Sequence, residues 1–136
     1  MPDPQPQPLP ERFANSVLLD AMPDAIVMVD TEGRIVDLNV HALGMFGYAR
    51  TELLGELVEI LIPERSRGRH VGQRGEYFAA PHVRPMGTGI ELAGRRKDGR
   101  EFGIEVSLSP YLSQDGQLVV AAIRRAPPQR GARTAG

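Results

Sequence analysis

Apolar and polar positions change rhythm several times along this chain, and each change marks an element. In ERFANSVLLDAM, residues 11–22, Phe13, Val17, Leu18 and Ala21 or Met22 share one helical face, so the spacing predicts a helix that Pro23 ends. AIVMV at 25–29 is a β-rich run, DTEG at 30–33 reads as a turn, and RIVDL at 34–38 returns as a second strand. Asn39 is placed to cap a short helix in VHALGMFGY, where Leu43 and Phe46 lie one turn apart. A further short helical turn starts at Thr51 and ends at Gly55. Pro63 suits a first helical turn, which predicts a longer helix over about 63–79. Then come IELAGRR, REFGIEVSLSPYL and LVVAAIRRA, joined by Asp98-Gly99 and Asp115-Gly116, a strong hairpin signal.

Within the second of these strands Phe102, Ile104, Val106 and Leu108 recur at every second position. Glu101, Glu105, Ser107 and Ser109 fall mostly between them, which predicts one dry and one wet face. The basic run Arg95-Arg96-Lys97 then sits at a turn and reads as a solvated loop rather than a nucleic-acid patch. The helix at 63–79 is unusual: Gly68, Gly72 and Gly75 interrupt it, each costing about 0.8–1 kcal/mol relative to alanine, and it has no apolar repeat before Tyr77-Phe78. It is expected to be loosely held, unless the glycines serve close packing on the sheet.

Composition narrows the function. The 136 residues fit one domain, and 16 basic against 17 acidic residues give a net charge of −1, with no general pull toward nucleic acid or anionic membranes. Absence of cysteine removes disulfides and thiol chemistry. No apolar run approaches the roughly 20 residues of a spanning helix, and MPDPQPQPLP is unlike a signal peptide, so a cytoplasmic protein is expected. Alternating prolines predict a disordered lead-in at 1–10, a domain at 11–126, and a linker at 127–136, as in a module of a longer chain. Nothing suggests an enzyme: His41, His70 and His82 lack metal-ligand spacing, and Gly87-Thr88-Gly89 lacks the lysine of a phosphate loop.

The stretch PDAIVMVDTEGRIVDLNVHALGMFGYARTELLGE, with Asp24-Ala25, Asp30 and Gly33, Asn39, Ala42, Phe46-Gly47-Tyr48, Glu52-Leu53 and Gly55, resembles the first half of a PAS domain. GTGIELAGRRKDGREFGIEVSLSP resembles the same family's central hairpin. The resemblance implies an α+β fold with a five-stranded antiparallel sheet in the order 2-1-5-4-3, short helices on one face and an N-terminal cap helix. It also implies a sensory or regulatory role, homodimerisation, and an attached effector such as a kinase, phosphatase or transcription regulator. Relatives that form a flavin–cysteine adduct need a cysteine that this chain lacks.

Such a fold encloses either a filled core or a ligand. The sheet positions expected to face the helices are Ile26, Met28, Leu38, Ile90, Leu92, Val106, Leu108 and Val120. Leu43, Phe46, Leu54, Leu57 and Leu61 are expected opposite them. These aliphatic walls suit an elongated apolar guest such as a fatty acid, each buried CH₂ contributing about 0.8 kcal/mol. A carboxylate head would need a cationic partner, with Arg74, His82 and Arg84 as candidates. His70 stands where haem-binding, oxygen-sensing PAS domains carry their proximal histidine. Ile90 replaces the arginine that contacts oxygen there, so haem is the lesser expectation. A ligand-free dimerisation module, paired through Phe13, Val17 and Leu18, is the other alternative.

Overall fold

The computed structural model describes residues 18–86, 92–114 and 116–126. Phe13, Val17, Ile90, Asp115, the Gly87–Gly89 loop, the proline-rich lead-in and the expected linker lie outside the described residues. The strands are β1 (Ala25–Asp30), β2 (Ile35–Leu38), β3 (Leu92–Arg95), β4 (Glu101–Ser113) and β5 (Gly116–Arg125). Between β2 and β3 come α1 (Val40–Phe46), α2 (Arg50–Leu53), a 3₁₀ turn η1 (Val58–Leu61) and α3 (Glu64–Ala79). The strands form one antiparallel sheet in the order 2-1-5-4-3, as expected.

Asn39 begins the helical half and is fully buried. Its Oδ1 accepts from the Ile26 and Ala42 amides at 2.9 and 3.1 Å, and its Nδ2 donates to the Leu19 and Asp24 carbonyls at 2.8 Å each. One amide thus caps α1 and ties it to β1 and to the helical residues 18–21 that precede it. The far end of α1 is held by the β3–β4 hairpin. Arg96 donates to the Gly44 and Met45 carbonyls, the Lys97 amide donates to the Phe46 carbonyl, and Lys97 Nζ meets Glu52 at 2.5 Å. The basic turn therefore fastens the helices to the sheet. Gly94 of β3 leaves room for this: a Cβ there would stand 3.0 Å from both the Phe46 and Phe102 rings.

At β1 and β5 the sheet is apolar on both faces. Ala25, Val27, Val29, Ile104, Val119, Ala121 and Ile123 face the helices and share a core with Ile35, Leu38, Ala42, Phe46, Leu53 and Leu61. Ile26 and Met28 point the other way. They pack with Leu19, Leu118, Val120 and Ala122 on the outer face, where Ile26 pairs with Ala122 and Met28 with Val120. The expectation that Ile26, Met28 and Val120 face the helices is thereby corrected.

Helix α3 runs where expected, but its glycines do not serve close packing. A Cβ at Gly68, Gly72 or Gly75 would meet no atom within 4 Å. Tyr77 is the helix's buried residue. The glycines therefore only loosen the helix. Gly72→Ala should raise stability by about 0.5–1 kcal/mol and slow amide exchange across α3 without altering the fold, as read by urea denaturation and hydrogen exchange.

Candidate ligand-binding site

A cavity of about 280 Å³ lies between the inner face of the sheet and α3. Its floor is aliphatic, built from Val29, Leu92, Ala93, Ile104, Val106, Leu108, Val119, Ala121 and Ile123. The β4 contribution follows from strict alternation: Ile104, Val106 and Leu108 turn inward because their neighbours turn out. Phe46, Val58, Leu61 and Ile62 close one end. The opposite wall is polar, because α3 presents Ser66, Arg69, His70, Gln73 and Arg74 before Tyr77 and Phe78. Arg69 and Gln73 are exposed as well as lining, so the cavity reaches the surface along α3. Arg84 completes the lining. Its amide donates to the Leu108 carbonyl at 2.8 Å and its carbonyl accepts from the Leu108 amide at 2.9 Å, pinning this segment to β4.

Beneath the wall lies Glu59 of η1, whose side chain is 4% exposed. Arg74 donates to it twice, from Nε at 2.9 Å and Nη2 at 3.1 Å, and His70 Nδ1 meets it at 2.5 Å. His70 and Arg74 are one helical turn apart, so a single face of α3 supplies both groups. The Arg74 guanidinium also lies on the β1–β2 turn. Gly33 there has φ +84°, and a Cβ would stand 2.3 Å from the guanidinium carbon, so a side chain would be strained and would displace Arg74. Burial pushes the Glu59 carboxyl up, but hydrogen bonds from Arg74 and His70 outweigh this and hold it below the ordinary glutamate range. Two further contacts steady α3. Arg65 makes a bidentate pair with Glu101 of β4 at 2.7 and 2.9 Å, and the Tyr77 hydroxyl donates to the His82 carbonyl at 2.7 Å.

Of the residues expected at a ligand, Phe46, Leu61, Leu92, Val106, Leu108, Arg74 and Arg84 line the cavity, and so does His70. Leu38, Leu43 and Leu54 belong to the core around it without lining it, and Leu57 is half-buried beside Arg34 on the far side of η1. His82 is exposed, its Nδ1 3.0 Å from the Ala80 carbonyl, and does not reach the cavity. Leu18 is 66% exposed while Leu19 is buried on the outer face. Val29, Val119, Ala121 and Ile123 went unforeseen, as did Arg69, Gln73 and Glu59. The spacing of His70 and Arg74 signals a shared partner, but their sequence does not locate it on η1.

Sheet, short helices and the cavity between them together define an α+β domain in which a helical wall faces one side of a five-stranded antiparallel sheet. A family model described as the PAS fold matches residues 15–126, and the chain belongs to that family. It is 33% identical over 98 residues to the sensor protein FixL of Bradyrhizobium diazoefficiens, covering 71% of this chain and 19% of that protein. It is 29% identical over 82 residues to the cell-division control histidine kinase PdhS of Brucella ovis, covering 60% of this chain and 8% of the kinase. The PAS domain of an HTR-like protein from Haloarcula marismortui superposes with a TM-score of 0.65 at 20% identity, covering 84% of this chain and 96% of that one. The chain thus spans about a fifth or less of the curated relatives, and the matched segments tie it to signal transduction. Among the described residues no helix is long and apolar enough to cross a membrane.

The lowered Glu59 carboxyl predicts a pH effect with a definite sign. Stability from this group is fully present above the unfolded glutamate value of about 4.3 and is lost as pH falls through the folded value. Glu59→Gln should destabilise the domain at pH 7 by about 3 kcal/mol, the low end for a broken buried ion pair because His70 and Arg74 keep some solvent. The gap between wild type and variant should close on acidification in urea titrations between pH 7 and pH 3.

Proposed function

We propose that this domain is the sensory module of a larger signalling protein and reports occupancy of the cavity by a small, largely apolar molecule. The observation that carries the reading is the pairing of an aliphatic floor with a wall whose apolar anchors, Tyr77 and Phe78, sit at one end and which is otherwise held by polar contacts. Few apolar contacts oppose a shift of α3, so a guest that fits one position of the helix better than another moves the balance by that difference in affinity. The volume is near the lower end of the roughly 300–1,000 Å³ usual for ligand pockets. Short or medium aliphatic chains and single rings fit it better than a long fatty acid.

The likeness to a sensor protein and a histidine kinase supports an attached effector, with a kinase as the first expectation. A second copy of the chain would pair through the outer sheet face and the helical residues 18–21. The exposed Leu18, beside the apolar patch of Leu19, Leu118 and Val120, supports this. Leu18→Asp should then shift the sedimentation coefficient of a dimer to that of a monomer with an unchanged circular dichroism spectrum. An unchanged coefficient would count against pairing at this face.

Haem through His70 is the second reading. One observation favours it: Glu59 fixes the ring through Nδ1, as carboxylates do for metal-bound histidines, and leaves Nε2 without a hydrogen bond among the described residues. The volume argues for a smaller guest. Both readings meet one experiment, mass spectrometry and absorbance of the purified protein before and after hemin addition. We expect a co-purified small apolar molecule released on denaturation and no Soret band. A clean apo mass that no added apolar compound stabilises would overturn the ligand reading, and a Soret band lost in His70→Ala would put haem in its place.

A further inference from the structure

We propose that the cavity selects a small organic acid and that the Arg84 guanidinium is the group that pairs with its carboxylate. The proposal rests on the cavity being a ligand site and adds the charge of the ligand. Among the described residues no aspartate or glutamate lines the cavity, whereas Arg69, Arg74, Arg84 and His70 do. A cleft lined by one sign of charge with apolar walls concentrates the opposite sign.

These residues are not equivalent. Arg74 commits Nε and Nη2 to Glu59 and lies against Gly33, and His70 gives Nδ1 to the same carboxylate. Glu59 is outside the lining, so it balances these two from behind the wall. Among the described residues neither Arg69 nor Arg84 has an acidic partner. Arg69 is exposed on α3, where water screens it. Arg84 is half-buried, and its backbone is fixed to Leu108 of the apolar floor. A carboxylate on its planar fork makes two parallel charge-assisted hydrogen bonds, which places the rest of the ligand over Leu108 and its neighbours. An amine there meets cations and no acid. An alcohol leaves the guanidinium without a counter-charge beside apolar surface. A phosphate monoester carries a second charge whose hydration this apolar floor does not replace.

Three probes of one tail length separate these cases: octanoate, octan-1-ol and octylamine, titrated calorimetrically into the full chain and into Arg84→Gln and Arg84→Lys. In the wild type, octanoate is expected to bind at least about tenfold more tightly than octanol, and octylamine not measurably. Arg84→Gln should bring octanoate down to the octanol value measured in the same variant. Arg84→Lys, which keeps the charge and loses the fork, should fall between, and it carries the test should Arg84→Gln fold poorly. Equal binding of octanoate and octanol, or an acid preference that survives in Arg84→Gln, would overturn the acid proposal while the ligand reading stands. No heat with any of the three would remove the ligand reading and the acid proposal together.

Discussion

Glu59 lies under α3 almost without solvent, and both side chains that bond to it, His70 and Arg74, belong to that helix. A buried carboxylate is costly without partners and tolerable with them, so losing either contact costs far more than a surface ion pair would. The helix has little else to hold it in its middle: it lacks an apolar stripe, and its three internal glycines face open space. The position of one cavity wall is therefore set by electrostatics rather than packing. Packed cores resist graded displacement, whereas a polar fastening is made or broken. A wall of that kind fits the proposed sensory reading, in which the domain would hold two arrangements of nearly equal free energy.

The sheet supplies the other half of the device. β1 and β5 lie at its centre and are apolar on both faces. Val119, Ala121 and Ile123 form cavity floor, and the residues between them, Val120 and Ala122, belong to the outer patch. On the proposed reading, a guest on the floor and a second copy on the outer face would act on the same strands, with no loop or hinge between them. That proximity is the physical route by which occupancy inside can be felt outside.

The sequence made one face of the sheet legible and left the other ambiguous. In β4 the charged and hydroxyl residues between Ile104, Val106 and Leu108 mark the solvent side, so the inward set can be read directly, and all three line the cavity. In β1 the run AIVMV has no polar residue to mark a side. Choosing Ile26 and Met28 over Val27 and Val29 was a choice of phase that a period of two cannot make. β5 poses the same problem, and Val120 fell to the wrong face with them. The cap at Asn39 was legible because an N-cap is local chemistry. Glu59 was not, because its role depends on η1 meeting α3 across a gap that no spacing rule spans.

The balanced net charge conceals how unevenly the cations are used. Arg50 bridges Asp37 and the Leu38 carbonyl, Arg96 caps the end of α1, Lys97 meets Glu52, Arg65 meets Glu101, and Arg124 meets Asp24. These pairs join elements distant in sequence and consume positive charge within the domain. What they leave unneutralised is informative in proportion to its burial, since an exposed cation has water and a half-buried one has given part of that up. Arg84 is held against the floor by its own backbone and is not needed to link any two elements. A half-buried cation with no acidic partner among the described residues is the feature on which the acid proposal rests.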